Sequence, residues 1–166
     1  MDDAFAAIDL VIVDDDTETS CLLQRLLSQQ GYQIQVAESG QQAIASILAS
    51  RPGLVLLDLL LPDMDGYTLC QQLKQNPLTA EIPVIVLSSL VDSIDKVKAF
   101  QAGATDYITK PFAVQEVLVR VQNQLRLAQQ RQQLSQQNAL LTQEVHERTQ
   151  MEQALIAVEM NYRSIF

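Results

Sequence analysis

Two apolar runs in this chain end on carboxylates. Leu10-Val11-Ile12-Val13 stops at Asp14-Asp15-Asp16, and Leu54-Val55-Leu56-Leu57 stops at Asp58. Continuous apolar runs of strand length read as strands buried on both faces of a parallel sheet. Ligands of such sheets gather beyond the carboxyl ends of the strands, so both runs deliver acids to one rim. Acids gathered there repel one another, and an apolar sheet edge raises their affinity for protons. A bound divalent cation is the economical explanation. Donors that are oxygen alone, with no Cys or His nearby, favour Mg2+ over zinc or copper. Two later runs bring further groups to the same rim: Ser88-Ser89 follows Ile85-Val86-Leu87, and Lys110 follows Tyr107-Ile108-Thr109. A hydroxyl and an ammonium can each bind an oxygen of a tetrahedral anion while the cation binds another. Each residue alone has a plainer use. Asp58 could cap a turn, Asp16 and even Asp15 could open a helix near Thr17, Ser88 could belong to a turn and Lys110 could be solvated. Their common place at strand ends favours a shared site, with the plain use kept for Asp16.

The elements that must hold these groups alternate strand and helix five times, the pattern of a doubly wound α/β domain with a parallel sheet. The strands are expected at Ile8 to Asp14, Gln33 to Val36, Leu54 to Asp58, Pro83 to Ser88 and Asp106 to Thr109. Helical stripes lie between them: Leu22, Leu23, Leu26 and Leu27; Ala43, Ile44, Ile47 and Leu48; Leu69, Cys70 and Leu73; Ile94, Val97 and Phe100. Gly31 and Gly103 are placed to end the first and fourth helices. With 166 residues and 48% hydrophobic content the chain can bury a core and carry an extension. The formal charge of -9 lies before Ala113, because acids and bases cancel after it, which argues against nucleic acid binding by this segment. Cys21 and Cys70 lack metal spacing and are expected to be small buried hydrophobes. No run approaches transmembrane length, and no basic region and apolar core open the chain, so no membrane is expected and a reducing cytoplasm is the default.

Val13-Asp14-Asp15-Asp16, Asp58 with Leu61-Pro62-Asp63-Met64-Asp65-Gly66, Ser88-Ser89, and Gly103-Ala104-Thr105-Asp106-Tyr107-Ile108-Thr109-Lys110-Pro111-Phe112 together resemble the response regulator receiver domain of bacterial two-component signalling. The resemblance covers about the first three quarters of the chain and is specific, since several spaced motifs keep the family's order. It implies a flavodoxin-like five-stranded sheet in the order 2-1-3-4-5. It also implies Asp58 as phosphoacceptor, Asp14 and Asp15 as Mg2+ ligands or their water-mediated supports, and the Leu60 backbone carbonyl as a further ligand. Ser88 matches the switch hydroxyl, with Ser in place of the commoner Thr. Lys110 matches the phosphate-binding lysine, Tyr107 the switch aromatic, and Lys110-Pro111 a cis bond. The implied donor is a histidine kinase or a histidine phosphotransfer protein, and the implied role is regulatory, the domain catalysing only its own phosphorylation and dephosphorylation. A haloacid dehalogenase-like phosphatase, which also forms an aspartyl phosphate, would carry a second acid two residues after the nucleophile, and Leu60 stands there instead. A silent, purely structural dimerisation module would have no need of Asp14, Asp15, Asp58, Ser88 and Lys110 together.

No Gly or Pro occurs from Ala113 to Phe166. A fifth helix, with Val114, Val117, Leu118 and Val121 toward the sheet, is expected to run on into a coiled coil. Leu127, Leu134 and Leu141 recur every seven residues with Arg131, Asn138 and Val145 between them, a polar seam in which Asn138 favours a parallel homodimer in register. Met151, Leu155, Val158, Tyr162 and Ile165 form a second seam, joined to the first by a three-residue step through Arg148. A single amphipathic helix folded back on the domain is the alternative. His146-Glu147-Arg148-Thr149 has neither the spacing nor the proline of a histidine kinase phosphoacceptor box and reads as solvated. Asn161-Tyr162-Arg163-Ser164-Ile165-Phe166 resembles the opening of a PAS sensor domain. The expected organisation is thus a receiver domain at 1–125 and a helical coiled-coil linker at 126–166, leading to an output domain that the sequence lacks.

Overall fold

Short runs rich in Val, Ile and Leu become the centre of the molecule because they can bury both faces only inside a sheet covered by helices. The computed structural model describes residues 7–89 and 93–166. Its elements alternate as β1 (Leu10–Val13), α1 (Thr17–Gln29), β2 (Ile34–Ala37), α2 (Gly40–Ser50), β3 (Leu54–Asp58), α3 (Gly66–Gln75), β4 (Val84–Ser88), α4 (Ser93–Gln101), β5 (Asp106–Thr109) and α5 (Val114–Ile165). All pairings are parallel and the order is β2-β1-β3-β4-β5, the flavodoxin-like arrangement. Register sets the rim: Val13 pairs with Leu57, Asp58 with Leu87, and Ser88 with Thr109, so the residues that follow these ends emerge side by side.

Successive strand residues point to opposite faces. Val11, Val13, Val55, Leu57, Val84 and Val86 pack with Ala43, Ile47, Leu69, Leu73 and Ala99 of α2, α3 and α4. Leu10, Ile12, Leu54, Leu56, Ile85 and Ile108 pack with Leu23 and Leu27 of α1 and with Val117 and Val121 of α5. Local chemistry fixes the helix starts. Asp16 caps α1 by accepting from Glu18 N, and Asp65 caps α3 by accepting from Tyr67 N. Gly103, at φ +103°, supplies the left-handed turn that stops α4.

Strand bounds, the burial of Cys21 and the inward side of α4 depart from the sequence expectations. β1 runs from Leu10 to Val13 rather than from Ile8 to Asp14, β2 runs from Ile34 to Ala37, one residue later than its apolar pattern suggests, and β4 begins at Val84 rather than Pro83. Cys21 is exposed on the outer side of α1, whereas Cys70 is buried and its thiol is pushed up to about 11 by loss of water. Leu22 next to Cys21 is also exposed. On α4 the stripe of Ile94, Val97 and Phe100 faces outward, each residue at least 50% exposed, while Ala99 and Ala102 are buried. A helix meets a sheet more closely through alanines than through large side chains, and a stripe alone does not say which side turns inward.

The chain divides into two units, 1–128 and 129–166. In the second, every residue is exposed, including Leu134, Leu141, Val145, Met151, Leu155, Val158, Tyr162 and Ile165. Its own side chains pair along the helix, as Glu144 with Arg148 and Glu159 with Arg163. Gln150 Nε2 lies 3.1 Å from the exposed His146 ring, one turn back. Among the described residues no helix is long and apolar enough to cross a membrane.

Candidate functional site

The carboxyl ends of β1, β3, β4 and β5 converge on one polar cluster. Asp14 follows β1 and its amide donates to Ala37 O at 3.1 Å, which continues the sheet beyond the last apolar residue. Asp58 closes β3. Lys110 follows β5, its amide bonded to Ser88 O at 2.8 Å, so the lysine is registered on Ser88. The Lys110 Nζ then spans the cluster, 3.0 Å from Asp14 Oδ2 and 3.1 Å from Asp58 Oδ2. The other carboxylate oxygens accept backbone amides, Asp14 Oδ1 from Asp16 N at 2.9 Å and Asp58 Oδ1 from Leu60 N at 3.2 Å.

Burial and pairing pull these groups in different directions. Burial pushes the Asp14 carboxyl above its ordinary value, against the Asp16 amide and Lys110, which favour the charged form. Burial also works against the Lys110 ammonium, but Asp14 and then Asp58 outweigh it and raise its affinity for the proton. The ion pair wins at the lysine and burial wins at Asp14, because the Asp14 side chain has no exposed surface while Lys110 keeps 20% of its own.

Oxygens of Asp14, Asp15 and Asp58 lie within 4.8 Å of one another, with Asp15 exposed and the other two buried. Three carboxylates thus face one ammonium, and the donors are all hard oxygens with no thiolate or imidazole among them. That set fits a hard divalent cation such as Mg2+. Ser88 is fully buried at the end of β4. Tyr107 is buried on β5 with the Lys96 ammonium 5.6 Å from its ring centre, and the bond after Lys110 is cis as the resemblance implies. Leu60, two residues past Asp58, presents an exposed apolar side chain.

The segment after Asp58 is folded back on itself. Leu60 and Asp65 form an antiparallel bridge, and Gly66 N donates to Leu59 O at 2.9 Å. Gly66 is required here for space: a Cβ on it would sit 2.5 Å from Leu59 Cα and 2.7 Å from Asp58 O, both immovable backbone atoms. Gly66→Ala is therefore expected to destabilise the chain by about 3 kcal/mol, read as a lower denaturant midpoint. A midpoint within experimental error of the wild type would show that this turn has room to give.

Asp63 is a residue of this segment whose role sequence reasoning missed. Its carboxylate accepts Gly40 N at 2.7 Å and Gln41 N at 2.9 Å, the first amides of α2, and those bonds hold it below the usual carboxylate range. The partners lie 22 and 23 residues away in the chain, so no local pattern announces them.

Comparison with known proteins places this geometry. The family model for the response regulator receiver domain matches residues 10–122. The DNA-binding dual master transcriptional regulator RpaA of Synechocystis sp. is 44% identical over 117 residues, covering 70% of this chain and 48% of that protein. The transcriptional regulatory protein ResD of Bacillus subtilis is 39% identical over 121 residues, covering 73% of this chain and 49% of its own length. The chain spans about half the length of these curated relatives. A crystal structure of a response regulator from Chloroflexus aurantiacus superposes with a TM-score of 0.69 at 41% identity, covering 72% of this chain and 98% of that one.

Proposed function

Because the chain belongs to the response regulator receiver family, we propose that residues 1–125 are a phosphoacceptor module of two-component signalling in which Asp58 takes the phosphoryl group. One observation carries the reading: an ammonium is held 3.1 Å from the Asp58 carboxylate at the rim where β1, β3 and β5 end. An ionised carboxylate needs no general base, so Asp58 attacks phosphorus directly. With a phosphohistidine of a histidine kinase or phosphotransfer protein as donor, an O–P bond forms, the P–N bond breaks, and its electron pair stays with the imidazole.

Asp14, Asp15, Asp58 and the Leu60 carbonyl would hold Mg2+. When bound, Mg2+ supplies positive charge against the oxygens of the transferring phosphoryl group. Lys110 adds the protein's own positive charge beside it, and the Ser88 hydroxyl donates to a further oxygen. Movement of Ser88 and Lys110 toward the new phosphoryl group is felt at Tyr107, one strand over, and so at the face made by α4 and β5. A switch from 1:99 to 99:1 needs ~5.5 kcal/mol of differential interaction, which a few hydrogen bonds to a charged group can approach.

The module is regulatory, catalysing only its own phosphorylation and dephosphorylation. Residues 126–166 act as a dimeric helical linker toward an output domain, a reading supported by the seven-residue recurrence of Leu127, Leu134 and Leu141. The charge of -9 speaks against nucleic acid as a partner of this segment, and the cytoplasm is its place. The test is intact mass after incubation with acetyl phosphate and Mg2+. One added phosphoryl group, absent when EDTA replaces Mg2+ and mapped to the peptide holding Asp58, is expected. No gain from acetyl phosphate or from a phosphorylated kinase would leave a silent receiver-like dimerisation module.

A further inference from the structure

We infer that Asp63 is a positioning residue for the cation site, tying the segment that carries the Leu60 carbonyl to the start of α2. The inference rests on the Mg2+ reading above. The segment from Leu59 to Asp65 is fixed at its base by the Gly66–Leu59 hydrogen bond and the Leu60–Asp65 bridge. Its tip is fixed by the Asp63 carboxylate, which accepts Gly40 N at 2.7 Å and Gln41 N at 2.9 Å. Both amides are first-turn donors with no partner inside their own helix, and the positive end of α2 favours the carboxylate. Met64 lies against Gly40, where a Cβ would come within 2.4 Å of its side chain, so the tip and the helix start meet closely.

The connection from this tether to Leu60 is stiff. Pro62 has a fixed φ, and Leu61 before it is restricted to extended backbone. Few backbone torsions therefore remain between Asp63 and Leu60 to absorb a displacement of the tip. Among the described residues the Asp63 carboxylate bonds to Gly40 N and Gln41 N and not to Lys110, so it acts by holding the backbone that supplies one ligand.

A neighbouring residue separates this role from ordinary helix capping. Ser39 caps the same helix, its Oγ accepting Gln42 N at 3.2 Å, but has no tie to the 59–65 segment. Both Asp63→Ala and Ser39→Ala should lower the melting temperature of the full chain measured without Mg2+. Only Asp63→Ala should weaken Mg2+ binding, titrated calorimetrically with magnesium chloride, by about tenfold, the loss seen when the support of a metal ligand is removed. Asp63→Asn, which retains one acceptor oxygen, should fall between Asp63→Ala and the wild type, and it decides the matter if the alanine variant does not fold. Equal Mg2+ affinity in the Asp63 variants and the wild type overturns the inference, as does an equal loss in Ser39→Ala. A wild-type chain that binds no Mg2+ overturns the Mg2+ reading of the site, and this inference with it.

Discussion

Asp58→Asn is expected to take up no phosphoryl group under conditions in which the wild type gains one, while folding normally. The reason lies in how the acids differ. The Asp14 side chain has no exposed surface, and its oxygens are engaged by Asp16 N and Lys110. Asp15 is exposed. Asp58 combines the two properties an acceptor needs: Leu60 N and Lys110 orient its oxygens, and 11% of the side chain stays open at the rim. Asparagine keeps the shape but loses the charge that attacks phosphorus. It also relieves repulsion beside Asp14, so the change in stability should stay within about 1 kcal/mol. Intact mass and a denaturant curve on the same sample check both halves. Full uptake by the variant would move the acceptor to another carboxylate, with Asp15 the first to examine.

Lys110→Met should slow phosphoryl uptake from acetyl phosphate about 100- to 1000-fold, the scale on which a fixed charge at developing negative charge is felt. It should also reduce stability. Taking one partner from a buried ion pair leaves the other charge uncompensated, and here Asp14 and Asp58 would both lose the ammonium between them. With Lys110 20% exposed, water offsets part of that loss, so a decrease on the order of 2 kcal/mol is expected, measured by denaturant unfolding without Mg2+. A wild-type uptake rate in this variant would remove Lys110 from the chemistry and leave it a structural role alone.

Much of the architecture is legible from residue order. The runs at Leu10–Val13, Leu54–Asp58 and Val84–Ser88 read as buried parallel strands because both faces of each must be apolar. Once the sheet is parallel, Asp14, Asp58, Ser88 and Lys110 must share a rim, since each follows or ends a strand. Asp16 and Asp65 announce their helix starts by type and position.

Other features depend on contacts between distant parts of the chain. The spacing of Ile94, Val97 and Phe100 puts them on one stripe, but only packing on the sheet chose the alanine side of α4 for burial. Cys21 and Cys70 look alike in sequence, yet one lies on an outer helical face and the other in the core. That Lys110 bridges Asp14 and Asp58, 96 and 52 residues away, follows from strand register and the length of one side chain. The hold of Asp63 on α2 has the same origin. Periodicity and capping signals act over a few residues and so are written in the sequence itself. Which faces meet, and which charge reaches which, is decided only when the sheet brings distant segments together.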